Sequence, residues 1–350
     1  RTSSGGKNPL TDSLELLWGE SEVTVEQLGS TLPASVRAVL DDWIEDIVAL
    51  DLRVVLTGHD EHVVMGLFGE DDQDDVDEIL REAGTILDDA WDELDPVLPV
   101  TRGHGTKPVV ALLFDQQASR DPRFDDLADA LARRSIIADE AAAAMRSQAR
   151  GLTARKEPMF LQPTWDMAGN AAAGDDAFRR RNEVAHKFAQ CMATQRCGQL
   201  PSGLLWGLGH LIENRLFESV YQFNRSGFVA AGDHFDWPKQ ARRLLDKKGH
   251  KRGFDLIERV MAADDPAGSR DLSAFDNALI VYGTLEAMAH REPLALLTLF
   301  EDLSDLQSEK DPFGFAPTYI GDADMTRLAL ETRLAELEVD HITSRLSAVD

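Results

Sequence analysis

The first third of the chain switches between two hydrophobic periods. Val36, Val39, Leu40, Trp43, Ile44, Ile47 and Val48 recur every three or four residues, which predicts helix over Asp12–Leu50. Leu52–Gly58 (LRVVLTG) is short and β-branched and predicts a strand, and His62–Phe68 (HVVMGLF) predicts a second. The acidic stretch Gly69–Asp77 then suits a helix N-terminus, because carboxylates there oppose the positive end of the macrodipole. The helix that follows runs to about Leu94, with Val76, Leu80, Ala83, Leu87 and Trp91 on one face. Pro108–Phe114 (PVVALLF) is an unbroken apolar run and predicts a strand buried on both faces. Helices are expected at about Asp125–Arg134 and Ile137–Ala149, and an edge strand at Pro158–Gln162, where a proline is tolerated at the start.

Beyond Asp175 the pattern is almost entirely helical: Asp176–Thr194, Pro201–Asn224, Pro238–Lys248, Gly253–Ala263, Leu272–His290, Pro293–Leu306 and Asp324–Leu346, with a loop at Ser308–Tyr319. Pro201 and Pro238 stand where a first helical turn accepts proline. The expected fold class is therefore α+β: a small mixed sheet with helices in an N-terminal lobe, then a mainly helical C-terminal lobe. The domain reading is a flexible tail and helical extension over 1–50, an α/β lobe over 51–198 and a helical lobe over 199–350.

Charge narrows the functional classes. With 62 acidic against 36 basic residues, the net charge is −26, and such a surface repels phosphate backbones and anionic membranes. Nucleic acid is thus excluded as the expected partner, and a protein or peptide partner is expected instead. No apolar run approaches the about 20 residues needed to span a bilayer. Arg1 in place of Met marks a processed or trimmed product, which leaves open an exported protein whose signal peptide has been removed. Cys191 and Cys197 are six apart and cannot meet within one continuous helix; two reduced thiols and a local disulfide across a turn both remain open.

The chemistry concentrates in Asn182–Glu213. It reads N-E-V-A-H over Asn182–His186, then L-P-S-G-L-L-W-G-L-G-H-L-I-E over Leu200–Glu213. Glu183 and His186 are three apart and share a helix face; His210 follows Trp206 by one turn. A Gly-containing turn near Gly198 separates the two helices, so Glu183, His186, Trp206 and His210 are expected to meet, with a cleft between the lobes beside them.

This stretch resembles the gluzincin-type zinc metallopeptidases, the peptidase MA-like family. That family carries H-E-x-x-H on one helix and a third ligand, Glu, on the next, within a stretch similar to L-P-x-W-L-x-E-G-L-A-x-Y-x-E. The resemblance puts Asn182 at the first His, Glu183 at the general base and His186 at the second His. It puts Trp206 at the third-ligand Glu, followed by Gly207 and Leu208 as in the family, and Glu213 at the later acidic position. It extends more loosely over Leu52–Leu306, including Pro108–Phe114 and Phe275–Leu285 (FDNALIVYGTL).

Two of the three ligands the resemblance implies are therefore replaced. Asn182 offers a neutral amide oxygen that suits hard cations better than zinc, and Trp206 cannot ligate. Without the metal no bound water is activated, so Glu183 is a vestigial general base and no cofactor is expected. The function implied is an inactive metallopeptidase-like module that binds a partner or plays a structural part, with Asn182, His186, Trp206, His210 and Glu213 lining the old cleft. Two alternatives stand beside it: a zinc-dependent hydrolase rewired onto Glu183, His186 and His210, and an unrelated helical scaffold.

Other features carry less. His59 and His62 bracket Asp60 and Glu61 in GHDEH, read as an exposed polar loop. His234 lies in GDHFDWP, where Trp237 is read as a packing anchor. Arg102–Lys107 (RGHGTK) precedes a strand rather than a helix and makes no phosphate cradle. Glu70–Glu78 lacks the glycine-centred spacing of a calcium loop. No G-x-S-x-G elbow or G-x-x-x-x-G-K-[ST] loop is present.

Overall fold

A computed structural model describes the chain from Arg53 to Lys310; residues 1–52, 100–107, 165–179, 245–273 and 311–350, with short gaps between elements, lie outside that description. The helices expected at Asp12–Leu50, Gly253–Ala263 and Asp324–Leu346, the segment Arg102–Lys107 and His234 all fall in those parts. The fold is α+β, and the chain divides into two compact units.

The first unit takes residues 1–88 and 105–166. Its sheet has five strands: β1 (Arg53–His59), β2 (His62–Phe68), β3 (Val109–Phe114), β4 (Leu152–Thr153) and β5 (Met159–Pro163), in spatial order β1-β2-β3-β5-β4. β1 and β2 form an antiparallel hairpin that closes at His59 opposite His62; β2, β3 and β5 run parallel, and β4 is antiparallel to β5. Every residue of β3 and of β5 is buried, as the apolar run at 109–114 demands of a strand covered on both faces. α1 (Gln73–Leu94) begins in this unit, where it turns Leu80, Ala83 and Leu87 inward at helical spacing. α2 (Pro122–Arg133) sets Phe124 against Phe114 of β3 with ring centroids 4.8 Å apart, and α3 (Asp139–Gln148) packs on α2.

Two expectations change here. The strand at 159–163 is not an edge, because the two-residue β4 pairs Leu152 with Leu161 and Thr153 with Phe160. His62 is not an exposed loop residue: it opens β2, is wholly buried, and its Nε2 lies 2.9 Å from Asp88 Oδ1 of α1.

The second unit takes residues 89–104 and 167–350. It contains α4 (Arg180–Cys197), α5 (Ser202–Phe217), a hairpin of β6 (Val220–Asn224) and β7 (Gly227–Ala231), α6 (Ala274–Arg291) and α7 (Pro293–Lys310). The division after residue 166, rather than after 198, assigns the whole Asn182–His186 helix to the helical unit. The end of α1 joins this unit through charge: Arg196 donates to Asp95 at 2.6 Å and lies 4.7 Å over the Trp91 ring, and Arg215 donates to Glu93 at 3.0 Å. α4 ends at Gly198, whose φ of 78° suits a residue without a Cβ, and whose N–H reaches the Thr194 carbonyl at 2.9 Å. α5 ends sooner than the periodicity predicts. Glu218 takes φ 53°, and the chain turns into the β6–β7 hairpin instead of continuing as helix to Asn224. α6 crosses α5 closely at Gly207, where a Cβ would sit 2.1 Å from Val281 Cγ1.

Candidate functional site

α4 and α5 bring four polar side chains into one buried cluster. Asn182 and His186 come from the first turns of α4, one turn apart, and His210 and Glu213 from the second half of α5, also one turn apart. Asn182, His210 and Glu213 are fully buried and His186 is 6% exposed. Glu213 is the hub. Its Oε1 accepts from His186 Nδ1 at 2.7 Å and from His210 Nδ1 at 3.2 Å, while its Oε2 accepts from Asn182 Nδ2 at 3.2 Å. The Asn182 amide also donates to the Ser219 carbonyl at 2.8 Å, tying in the residue before β6. Gln190, one turn beyond His186, donates its amide N–H to His186 Nε2 at 2.8 Å.

A missing side chain permits the approach of the rings. A Cβ at Gly209 would stand 2.5 Å from His186 Nδ1, closer than real Cβ atoms come to anything, so the α5 backbone is bare where the imidazole lies against it. The aromatic surround is dense. His186 and His210 have centroids 4.8 Å apart, and half-buried Trp206 meets them edge-on at 5.7 Å and 6.1 Å. Trp237, fully buried, lies 5.3 Å from His210 and 5.4 Å from Tyr282 of α6, the packing role read for it in the sequence.

Electrostatics follow from burial and pairing. Burial works to raise the Glu213 pKa, but the hydrogen bonds and charge of His186 and His210 outweigh it and hold the carboxyl below its ordinary value. For His210 burial is the largest influence and lowers the imidazole pKa, against the opposing hydrogen bond to Glu213. Burial thus disfavours the charged form of His210, whose Nδ1 faces Glu213; among the described residues its buried Nε2 has no hydrogen-bond partner. Asn182 Oδ1 and Ser219 Oγ are likewise buried without one.

The residues named from the sequence thus divide. Asn182, His186, His210 and Glu213 converge, with Trp206 beside them. Glu183 does not join: its carboxylate pairs with Lys187 one turn on along α4. The set that gathers is His186, His210 and Glu213, whose candidate ligand atoms lie within 4.8 Å of one another, and not Glu183, His186 and His210. The zinc arrangement implied by the resemblance does not fit, since Trp206 offers no ligand atom and the amide of Asn182 serves as donor to Glu213 and Ser219. Gln190 and Gly209 escaped the sequence reading. Gln190 had a signal, its i+4 spacing from His186; Gly209 had none, because its neighbour lies on another helix.

Cys191 and Cys197 are both free and buried within the single helix α4, and burial drives both thiol pKa values far up. These are inert core groups, not nucleophiles. Among the described residues no helix is long and apolar enough to cross a membrane. Compared with known proteins, the chain matches no family model, no curated sequence and no solved structure.

Proposed function

We propose that this chain is a non-hydrolytic, metallopeptidase-like module, whose helical unit serves a binding or structural role. The observation that carries the reading is the burial of the site and the hydrogen bonds its residues make to one another. A metallopeptidase needs a water-bearing metal open to substrate. Here Asn182, His210 and Glu213 are fully buried, His186 nearly so, and their polar groups are spent largely on one another. The residue at the general-base position, Glu183, is paired with Lys187 and so is not free to take a proton from an attacking water. The net charge of −26 favours a partner that is not a polyanion, in keeping with a protein or peptide.

The test is turnover. The full chain, dialysed against zinc, cobalt or manganese, is incubated with casein and with a mixed peptide library, and cleavage is followed by mass spectrometry. No cleavage above the buffer control is expected. Metal-dependent cleavage that disappears in His186→Ala overturns the reading.

A further inference from the structure

The His186, His210 and Glu213 cluster is more than a packing device, and its donor set has a chemical meaning of its own. Two imidazoles and one carboxylate are the ligand types that borderline transition metals take from proteins, whereas calcium and magnesium prefer sets made of oxygen. We propose that His186, His210 and Glu213 form a buried, structural site for a zinc-class divalent cation that clamps α4 to α5.

Spacing supports it. A tetrahedral zinc ion with bonds of about 2.0–2.1 Å separates its ligand atoms by roughly 3.3 Å. His210 Nδ1 and Glu213 Oε1 stand at 3.2 Å, and His186 Nδ1 and Glu213 Oε1 at 2.7 Å. The cation needs one of these pairs to open slightly and the other hardly at all, while the third pair, His186 and His210, lies within 4.8 Å. Each ring then turns a lone pair to the metal and carries its proton on the other nitrogen, a tautomer shift that consumes no other reagent. For His186 the partner for that proton is already placed: Gln190 touches Nε2 at 2.8 Å, and turning its amide over offers the oxygen as acceptor. An acceptor on the far ring nitrogen is the usual support of a metal-bound histidine.

One further observation points the same way. Gly209 is bare where the His186 ring meets α5, so the ring reaches Glu213 only because position 209 has no side chain. Three protein ligands leave the fourth position of a tetrahedral ion to water, and the burial of all three argues for a structural rather than a catalytic ion. This deepens the proposal of a non-hydrolytic module and rests on it for the structural part given to the ion.

The experiment uses the full chain, stripped with a chelator and then exposed to zinc and, separately, to cobalt(II). Elemental mass spectrometry after dialysis is expected to give about one equivalent of zinc, and the thermal midpoint to rise by several degrees on zinc addition, roughly as ligand linkage requires. Cobalt(II) is expected to show the visible absorption of a low-coordinate nitrogen and oxygen site. Glu213→Gln, which keeps the shape of the side chain, and His210→Ala are each expected to weaken zinc binding at least about tenfold, while Glu183→Gln retains it. If His210→Ala fails to fold, Glu213→Gln decides. Less than about a tenth of an equivalent in the unaltered chain overturns the inference, and so does one equivalent that persists in Glu213→Gln or is lost in Glu183→Gln. Peptide cleavage is read separately: turnover with metal bound at these ligands sinks the non-hydrolytic reading, and absence of metal sinks the site alone.

Discussion

The centre of the sheet and the α4–α5 cluster are both buried, yet they are held by opposite means. β3 and β5 bury Val109, Val110, Leu112, Leu113, Phe114, Phe160 and Leu161, side chains whose contribution scales with apolar area and asks for no particular partner atom. At the α4–α5 crossing the buried groups are an amide, two imidazoles and a carboxylate, each stabilising only while its counterpart is in place. A strand core of that kind tolerates changes of shape that conserve volume; the polar cluster should tolerate almost none.

The largest effect expected from that contrast is at Glu213. Glu213→Ala strands the ring protons of His186 and His210 and the amide of Asn182, and is expected to cost about 3–5 kcal/mol in denaturant unfolding. Leu112→Met in the sheet is expected to cost less than about 1.5 kcal/mol, whereas the equally volume-conserving Glu213→Gln should cost about 1–3 kcal/mol. Equal small losses from Leu112→Met and Glu213→Gln would erase the distinction between the two regions.

A smaller effect is expected at Gly209. Gly209→Ala introduces a Cβ onto the His186 ring and is expected to cost about 1–3 kcal/mol by overpacking. Because the insult is to the ring position, Gly209→Ala with His186→Ala should cost less than the sum of the two single changes, a coupling that a double-mutant cycle measures. Strict additivity would show that the glycine matters for another contact.

A separate effect concerns pH, away from the cluster. The folded-state pKa values of Cys191 and Cys197 are raised well above their ordinary value of 9.0 by burial. The folded chain therefore keeps two protons that the unfolded chain gives up. Their contribution is fully present below 9.0 and is lost progressively as pH rises from there toward the folded values. The expected slope is about 1.4 kcal/mol per pH unit for each thiol. Unfolding followed between about pH 8 and pH 10.5 checks it, and the slope should flatten in Cys191→Ala with Cys197→Ala. An unchanged slope would assign alkaline sensitivity to other groups, of which buried Tyr282, its pKa also raised chiefly by burial, is the next to examine by substitution.

Legibility differed between the same two regions. β2 matched its expected span residue for residue and β3 to within one, because period and apolar run are local properties of the chain. β4 was not legible: a two-residue strand has no period. The stop of α5 was missed for a physical reason. Val220, Tyr221 and Phe223 continue an acceptable helical spacing, and the residue that ends the helix in a left-handed conformation is Glu218 rather than the glycine that announces such an end. At the site, the density of histidine and carboxylate over 182–213 was visible, and so were the helices that bear them. Which carboxylate the histidines would use was not: spacing favoured Glu183, on the same helix as His186, while Lys187 claims that group and Glu213 reaches across from α5.

The order of strands before helices, the apolar faces that bury them, the net negative charge and the density of histidine and carboxylate over 182–213 were set by the sequence alone. These depend on residue type and on spacing within single elements. That His186 and His210 share Glu213, that Gly209 is bare beneath an imidazole and that the cluster is buried emerged only from the tertiary structure. Those facts depend on the crossing of α4 and α5. A crossing is set by the packing of whole helix faces, down to the single Cβ missing at Gly207 where α6 presses on α5, and no periodicity within one helix encodes it.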